Sequence, residues 1–460
     1  MSSSQRWVLA AAIWALASCA PARDARPARP PGLPNEGPAD PLRLPLGSPS
    51  APAGEVTLRP GAVFDTRAGE AIPWAELPRR ISSARVVFVG ERHDHLAHRQ
   101  AAARLLDSLA QVPGPLLVGL EMLERRAGVQ TVLDAYSRGE LDERRFAAQV
   151  SWYSQWGYDF RLYRPIFEKA KIRRLPLVAL NVERAVVRKV GRGGLEALSE
   201  KERAGLPLLR LEVPNHRALF DALLGRGPGP GLGRGAPRGG DRAEPGGSPV
   251  GASGGRAHPG TPAHLFAAQV LRDEVMAQGI ARRLEVAGPK ARMLVIAGGG
   301  HLYFGTGTNA RLRLSQPDLA QATVLFLPAP AEGRRVSRAA GDFLVGTSSP
   351  ALAERALSLG IVLAERSDGK PGVLVERLRP GPVQAAGIRA GDFIVALDGD
   401  ATSNVFAFRW AMEQRSWGER PVFTVERGEE RLDLVVHLKP ERGPRPGPRR
   451  PSTALVPIGP

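Results

Sequence analysis

One cysteine, Cys19, in 460 residues rules out a disulfide within the chain and a thiolate-held metal cluster. Aromatic residues are scarce at 6%, so any local cluster of them stands out. Histidine is scarce too, eight in all, yet three fall within His93, His95 and His98. The apolar run Trp7 to Ala17 is too short to span a membrane as an ordinary mature helix. The formal charge of +17 is not organised for nucleic acid. Arginine far outnumbers lysine and is spread through the whole chain, with no basic-aromatic patch and no helix-turn-helix pattern, so nucleic acid is not an expected partner.

Arg6 precedes the apolar run, which closes on Leu16-Ala17-Ser18-Cys19. This resembles a bacterial lipobox. The resemblance implies a signal peptide over 1–19, lipidation of Cys19 and attachment to a membrane. Ala20 in place of Asp resembles sorting to the outer membrane of a bacterial envelope. Residues 20–54 are rich in Pro, Ala and Arg and read as a disordered tether.

From Arg85 the pattern alternates between short apolar runs and amphipathic stretches. Strands are expected at Val86–Val89, Leu116–Leu120, Pro176–Leu180, Met293–Ala297 and Thr323–Leu327. Helices are expected at Leu96–Leu109, Val129–Ser137, Glu143–Val150, Tyr163–Lys171, near Leu195–Ala204, from Asn215 to Leu224, and over His264–Leu284. Residues 55–80 read as an edge hairpin or lead-in segment. Near-continuous apolar strands separated by helices predict an α/β domain over 55–335, its parallel sheet covered on both faces. Residues 225–262 hold Gly, Pro, Arg and Ser with almost no large apolar side chain, and read as a disordered insertion. A small β-rich domain is expected over 350–440, and 441–460 is a Pro/Arg tail.

Glu91, His93, Glu121 and His301 all stand at or just beyond expected strand ends, where ligands bind in open α/β sheets. Carboxylate and imidazole together suit zinc, manganese or iron. Gly298-Gly299-Gly300 lets the backbone turn tightly before His301. A phosphate cradle is the weaker alternative, because neither GxGxxG spacing nor a following Lys-Ser/Thr is present. The segment 151–165 holds three of the five tyrosines and two of the seven tryptophans. Flat aromatic surface beside Arg161 suits a planar apolar ligand carrying carboxylates, and Tyr or His can ligate haem iron.

Five motifs carry a family resemblance: Gly90-Glu91-Arg92-His93-Asp94, Gly119-Leu120-Glu121-Met122, Trp156-Gly157-Tyr158-Asp159 with Tyr163-Arg164-Pro165, Arg272-Asp273-Glu274-Val275-Met276-Ala277, and Gly298-Gly299-Gly300-His301. In that order, across about 80–330, they resemble the ChaN-like haem-binding lipoproteins of the Tiki superfamily. The resemblance implies haem binding, a role in iron uptake and, in some form, a homodimer. It places the superfamily's common site at Glu91, His93, Glu121 and His301. Tyr158, Tyr153 and His98 are the candidate haem ligands, with Trp156 and Arg161 beside them. The superfamily also contains metal-dependent proteases and erythromycin esterase-like enzymes. The alternative is therefore a hydrolase in which a divalent metal activates water and Glu91 or Glu121 acts as base.

Residues 350–440 resemble a PDZ domain of the bacterial protease-associated type. Leu359-Gly360-Ile361-Val362 matches the carboxylate-binding loop, and Gly381 to Asp392 matches the turn before the buried strand. The resemblance implies capture of peptide or protein C-termini by strand addition. No Gly-x-Ser-x-Gly or Gly-Asn-Ser-Gly motif accompanies it, so a serine protease domain is not expected. A scaffold whose first domain has lost its ligand is a third reading.

Overall fold

The computed structural model describes residues 40–225, 260–348, 357 and 359–439. The signal segment with Cys19, most of the tether, most of the 225–262 insertion and the C-terminal tail lie outside the described residues.

The first domain contributes ten strands. They are β1 (Glu55–Leu58), β2 (Val63–Asp65), β3 (Glu70–Ile72), β4 (Val86–Glu91), β5 (Leu116–Glu124), β6 (Leu177–Asn181), β7 (Arg292–Gly298), β8 (Gln321–Pro328), β9 (Arg334–Ser337) and β10 (Phe343–Thr347). Eight form one sheet in the order β3-β2-β10-β8-β4-β7-β5-β6. From β10 to β6 every pairing is parallel, while β2 and β3 add an antiparallel hairpin at one edge. Strands β1 and β9 pair separately. Strands β4 and β7 are buried at every position, as a sheet with both faces covered requires.

The covering helices of this domain are α1 (Leu77–Ile81), α2 (Leu96–Leu109), α3 (Val129–Arg138), α4 (Glu143–Gln149), α5 (Trp152–Gln155), α6 (Arg164–Ile172), α7 (Arg184–Gly193), α8 (Glu200–Ala204), α9 (His216–Leu223), α10 (Pro262–Ala287) and α11 (Thr308–Ser315). One core lies on the side of α2, α3 and α6, and a second on the side of α10. Among the described residues no helix is long and apolar enough to cross a membrane.

Two boundaries differ from those read in the sequence. Residues 40–54 belong to the folded domain: Leu42 is buried, and Asp40 pairs with Arg334 at 2.8 Å. The domain also runs past 335, because β10 is an internal strand of the main sheet, lying between β2 and β8. The helix α7 has no counterpart in the sequence reading, and the stretch 195–204 splits into a 3-10 turn and α8.

The second domain has β11 (Ile361–Glu365), β12 (Val373–Leu378), α12 (Pro382–Ala385), β13 (Phe393–Leu397), β14 (Asp400–Ala401), α13 (Val405–Met412), β15 (Val422–Arg427) and β16 (Glu430–Val435). Its sheet runs β11-β12-β13-β15-β16, which leaves β11 at an edge. Helix α13 starts on Asn404, whose side chain accepts from the Ala407 N–H, an ordinary N-cap. It buries Phe408 and Met412 in this domain's core, while Phe406 and Trp410 pack against the first domain's core.

Candidate functional site

Register explains why distant residues meet. Strand β7 lies between β4 and β5; Glu91 pairs in register with Gly298, and Leu120 with Ile296. Glu91, Glu121 and the turn that carries His301 therefore emerge side by side. His93 donates from Nδ1 to Glu91 Oε1 at 2.7 Å. Glu121 accepts the Gly298 N–H at 2.6 Å and lies 3.3 Å from His301 Nε2. Gly298 is needed for space: a Cβ there would come 2.8 Å from the His93 ring.

Residues beyond the expected set complete the cluster. Arg99, on α2, pairs with Glu91 and donates to the Tyr163 hydroxyl at 2.6 Å. Arg272, on α10, pairs with Glu121. Asp273 accepts from His301 Nδ1 at 2.7 Å and from the Thr308 hydroxyl at 2.8 Å, with His216 at 3.4 Å. The signal for Arg272 and Asp273 was present: polar residues that fall one turn past Gln269 within a largely buried helix. Arg99 had no such signal, because an arginine in a helix reads as a surface group.

Burial is the strongest influence on these groups and opposes their charges, yet it loses where charges face each other. Burial works against ionised Glu121, but His301 and Arg272 hold its carboxyl well below the usual range. Burial likewise disfavours charged His301, but Glu121 and Asp273 raise it to about 9. Asp273 is lowered despite burial, chiefly by His301.

This arrangement does not support the zinc or manganese expectation. The four expected ligands do converge, but Glu91 is given to Arg99 and His93, and Glu121 to Arg272, His301 and a backbone N–H. Among the described residues no group of three or more His, Cys, Asp or Glu is placed to hold a metal ion. A carboxylate held as low as Glu121 is also a weak base at neutral pH.

The haem candidates separate clearly. His98 is fully buried; its Nδ1 accepts the Arg92 N–H at 3.0 Å and its Nε2 meets the Thr347 hydroxyl at 2.9 Å. Both ring nitrogens are spent inside the fold, which removes His98 as a ligand. Tyr153 donates its hydroxyl to Glu413 at 2.6 Å. Arg161 is bound to Asp159 at 2.7 Å and donates to the Arg415 carbonyl at 3.3 Å, so it is not free to hold a propionate. Tyr158 differs. It is half-buried, its hydroxyl makes no hydrogen bond among the described residues, and burial raises its phenol to about 12. Tyr158 and Trp156 pack edge-on over His93, with ring centroids at 5.4 and 4.6 Å. Tyr158 alone among the candidates keeps a half-exposed ring with an unengaged phenol that fits haem iron; Trp156 is buried, its ring inclined at 44° to that of Tyr158, and backs the tyrosine rather than facing a ligand.

Residues 77–312, just over half of the chain, match the family model described as haem-binding uptake, Tiki superfamily, ChaN. The chain belongs to the ChaN family. Residues 358–438 match a PDZ model. A solved structure described as cofacial heme binding to ChaN of Campylobacter jejuni is similar at 15% identity, covering 62% of this chain and 95% of that one, with a TM-score of 0.44. The HtrA3 PDZ domain bound to a phage-derived ligand is similar at 22% identity over 17% of this chain and 82% of that one, with a TM-score of 0.16. A putative serine protease, HhoA, of Synechocystis is 39% identical over 74 residues, 16% of this chain. The chain spans about a fifth of that relative's length.

The PDZ groove lies between α13 and the edge of β11, which is unpaired among the described residues. Gly360 has φ +67°, and a Cβ there would come 2.8 Å from the Arg379 carbonyl, so the turn into β11 requires glycine. Leu359, Ile361 and Leu363 line a cavity of about 240 Å³ with Phe408 and Met412. Val362, expected to face the groove, is not in this lining; Leu363 holds the place, because alternate strand residues face opposite sides.

Proposed function

We propose that this protein binds haem through the Trp156–Tyr158 wall of its ChaN domain and an apolar peptide C-terminus through its PDZ groove. It does so on the bacterial envelope, anchored at the outer membrane by lipidated Cys19, in the service of iron uptake. The observation that carries the haem reading is the unengaged Tyr158 hydroxyl beside Trp156 and His93. Tyr158 would hold haem through its phenol oxygen, with Trp156 and His93 supporting its ring from beneath; bound haem would supply the iron to be carried. The Glu91–Arg99 and Glu121–Arg272 pairs would fix His93 and the floor beneath that wall. The peptide reading rests on the unpaired edge of β11 and the glycine turn before it, which leave backbone N–H groups for a carboxylate and an added strand.

Haemin titration of the full-length chain in detergent tests the first half. A saturable shift of the Soret band is expected, with affinity falling tenfold or more in Tyr158→Phe and unchanged in Tyr136→Phe. A flat titration removes the haem assignment. Globomycin-sensitive processing and incorporation of labelled palmitate, both lost in Cys19→Ser, test the anchor.

A further inference from the structure

The PDZ groove has a third wall, and the ChaN domain supplies it. Tyr153, Gly157, Tyr158, Asp159 and Arg161 line the same cavity as Leu359, Ile361 and Leu363. The contact that holds this wall in place is specific. Glu413, just past α13, accepts from the Tyr153 hydroxyl at 2.6 Å and the Phe160 N–H at 2.5 Å. Arg409 donates to the Gly157 carbonyl at 3.1 Å, and Trp410 packs on Phe160 at 5.7 Å. Tyr158 therefore stands between two sites. It borders the peptide groove, and its ring covers His93 at 5.4 Å.

We propose that peptide in the PDZ groove and haem at the Tyr158 wall antagonise each other through the segment 152–161. The proposal rests on the two binding assignments above and adds their coupling. A strand added along β11 reaches Tyr158 and the Asp159–Arg161 pair as well as the aliphatic groove. It covers the Tyr158 phenol, the same group through which haem would be held, so the two ligands compete for one side chain. Coupling between binding equilibria is reciprocal, so each ligand weakens the other by one factor.

The test uses the full-length chain in detergent, haemin, and a fluorescein-labelled decapeptide ending in three valines with a free carboxylate. Saturating peptide is expected to raise the haemin dissociation constant at least threefold. Saturating haemin should raise that of the peptide by the same factor. Peptide alone should slow amide hydrogen exchange across 152–161. Peptide binding that leaves the haemin affinity unchanged overturns the proposal, as does absence of peptide binding. If haemin fails to bind, the haem assignment falls, and the exchange measurement alone decides whether the groove reaches the ChaN domain.

Discussion

The strand-end cluster of the ChaN domain and the groove of the PDZ domain solve opposite problems. The cluster gathers Glu91, Glu121, Asp273, Arg99 and His301 almost out of reach of water and balances each charge against another. The groove is half-exposed, aliphatic on its PDZ side, and bordered by the edge of β11, which is unpaired among the described residues. The first closes its charges on one another inside the fold; the second turns side chains and backbone outward.

The contrast can be broken most severely at Arg99. Arg99→Leu strands Glu91 in a buried setting and is expected to cost about 3–5 kcal/mol in urea unfolding of the ChaN domain. A loss below 1 kcal/mol would show that Glu91 finds another partner.

Acidity and alkalinity should act on the cluster next. His301, raised to about 9, contributes stability that is complete below its ordinary value of 6.5 and is lost as pH rises through 9. Glu121, held low, contributes above its ordinary value of 4.5 and loses that contribution as pH falls through its lowered value. Thermal midpoints should therefore peak between these two ordinary values, and His301→Asn should flatten the alkaline limb. An unchanged alkaline limb in that variant would detach His301 from the pairing.

The groove should show the reverse behaviour. Leu363→Asp is expected to cut affinity for the valine-ended peptide about tenfold and, because Leu363 is half-buried against the PDZ core, to cost about 1 kcal/mol in unfolding. Unchanged peptide affinity would remove Leu363 from the groove.

The smallest effect belongs to the seam between the domains. Burial first, then Asp159, pushes Glu413 up to about 8, with Tyr153, Arg161 and Arg409 also facing it. A raised acid favours docking at low pH, so the seam should weaken as pH climbs from 4.5 and lose this contribution fully above 8. Glu413→Gln should remove that slope, read as the thermal midpoint between pH 5 and 9.

Much of this was legible in the residues. Apolar runs located β4, β5, β6, β7 and β8, because buried parallel strands write continuous apolar text; Glu91, His93 and His301 stand at or just beyond strand ends as expected, whereas β5 runs on past Glu121 to Glu124. The helix Leu96–Leu109 was readable to its last residue. What stayed hidden depended on partners. Arg99 looks like a surface residue until its carboxylate is found. His98 looks like a ligand until β10 brings Thr347 to its Nε2. Val362 was placed in the groove by its motif, whereas the alternation of β11 turns Ile361 and Leu363 there. The seam through Glu413 pairs residues some 260 positions apart, and no local pattern announces it.

Phe406 and Trp410 turn outward from their own domain and are half-buried against another. A PDZ unit excised along its sequence boundaries would carry these two rings as a bare sticky face.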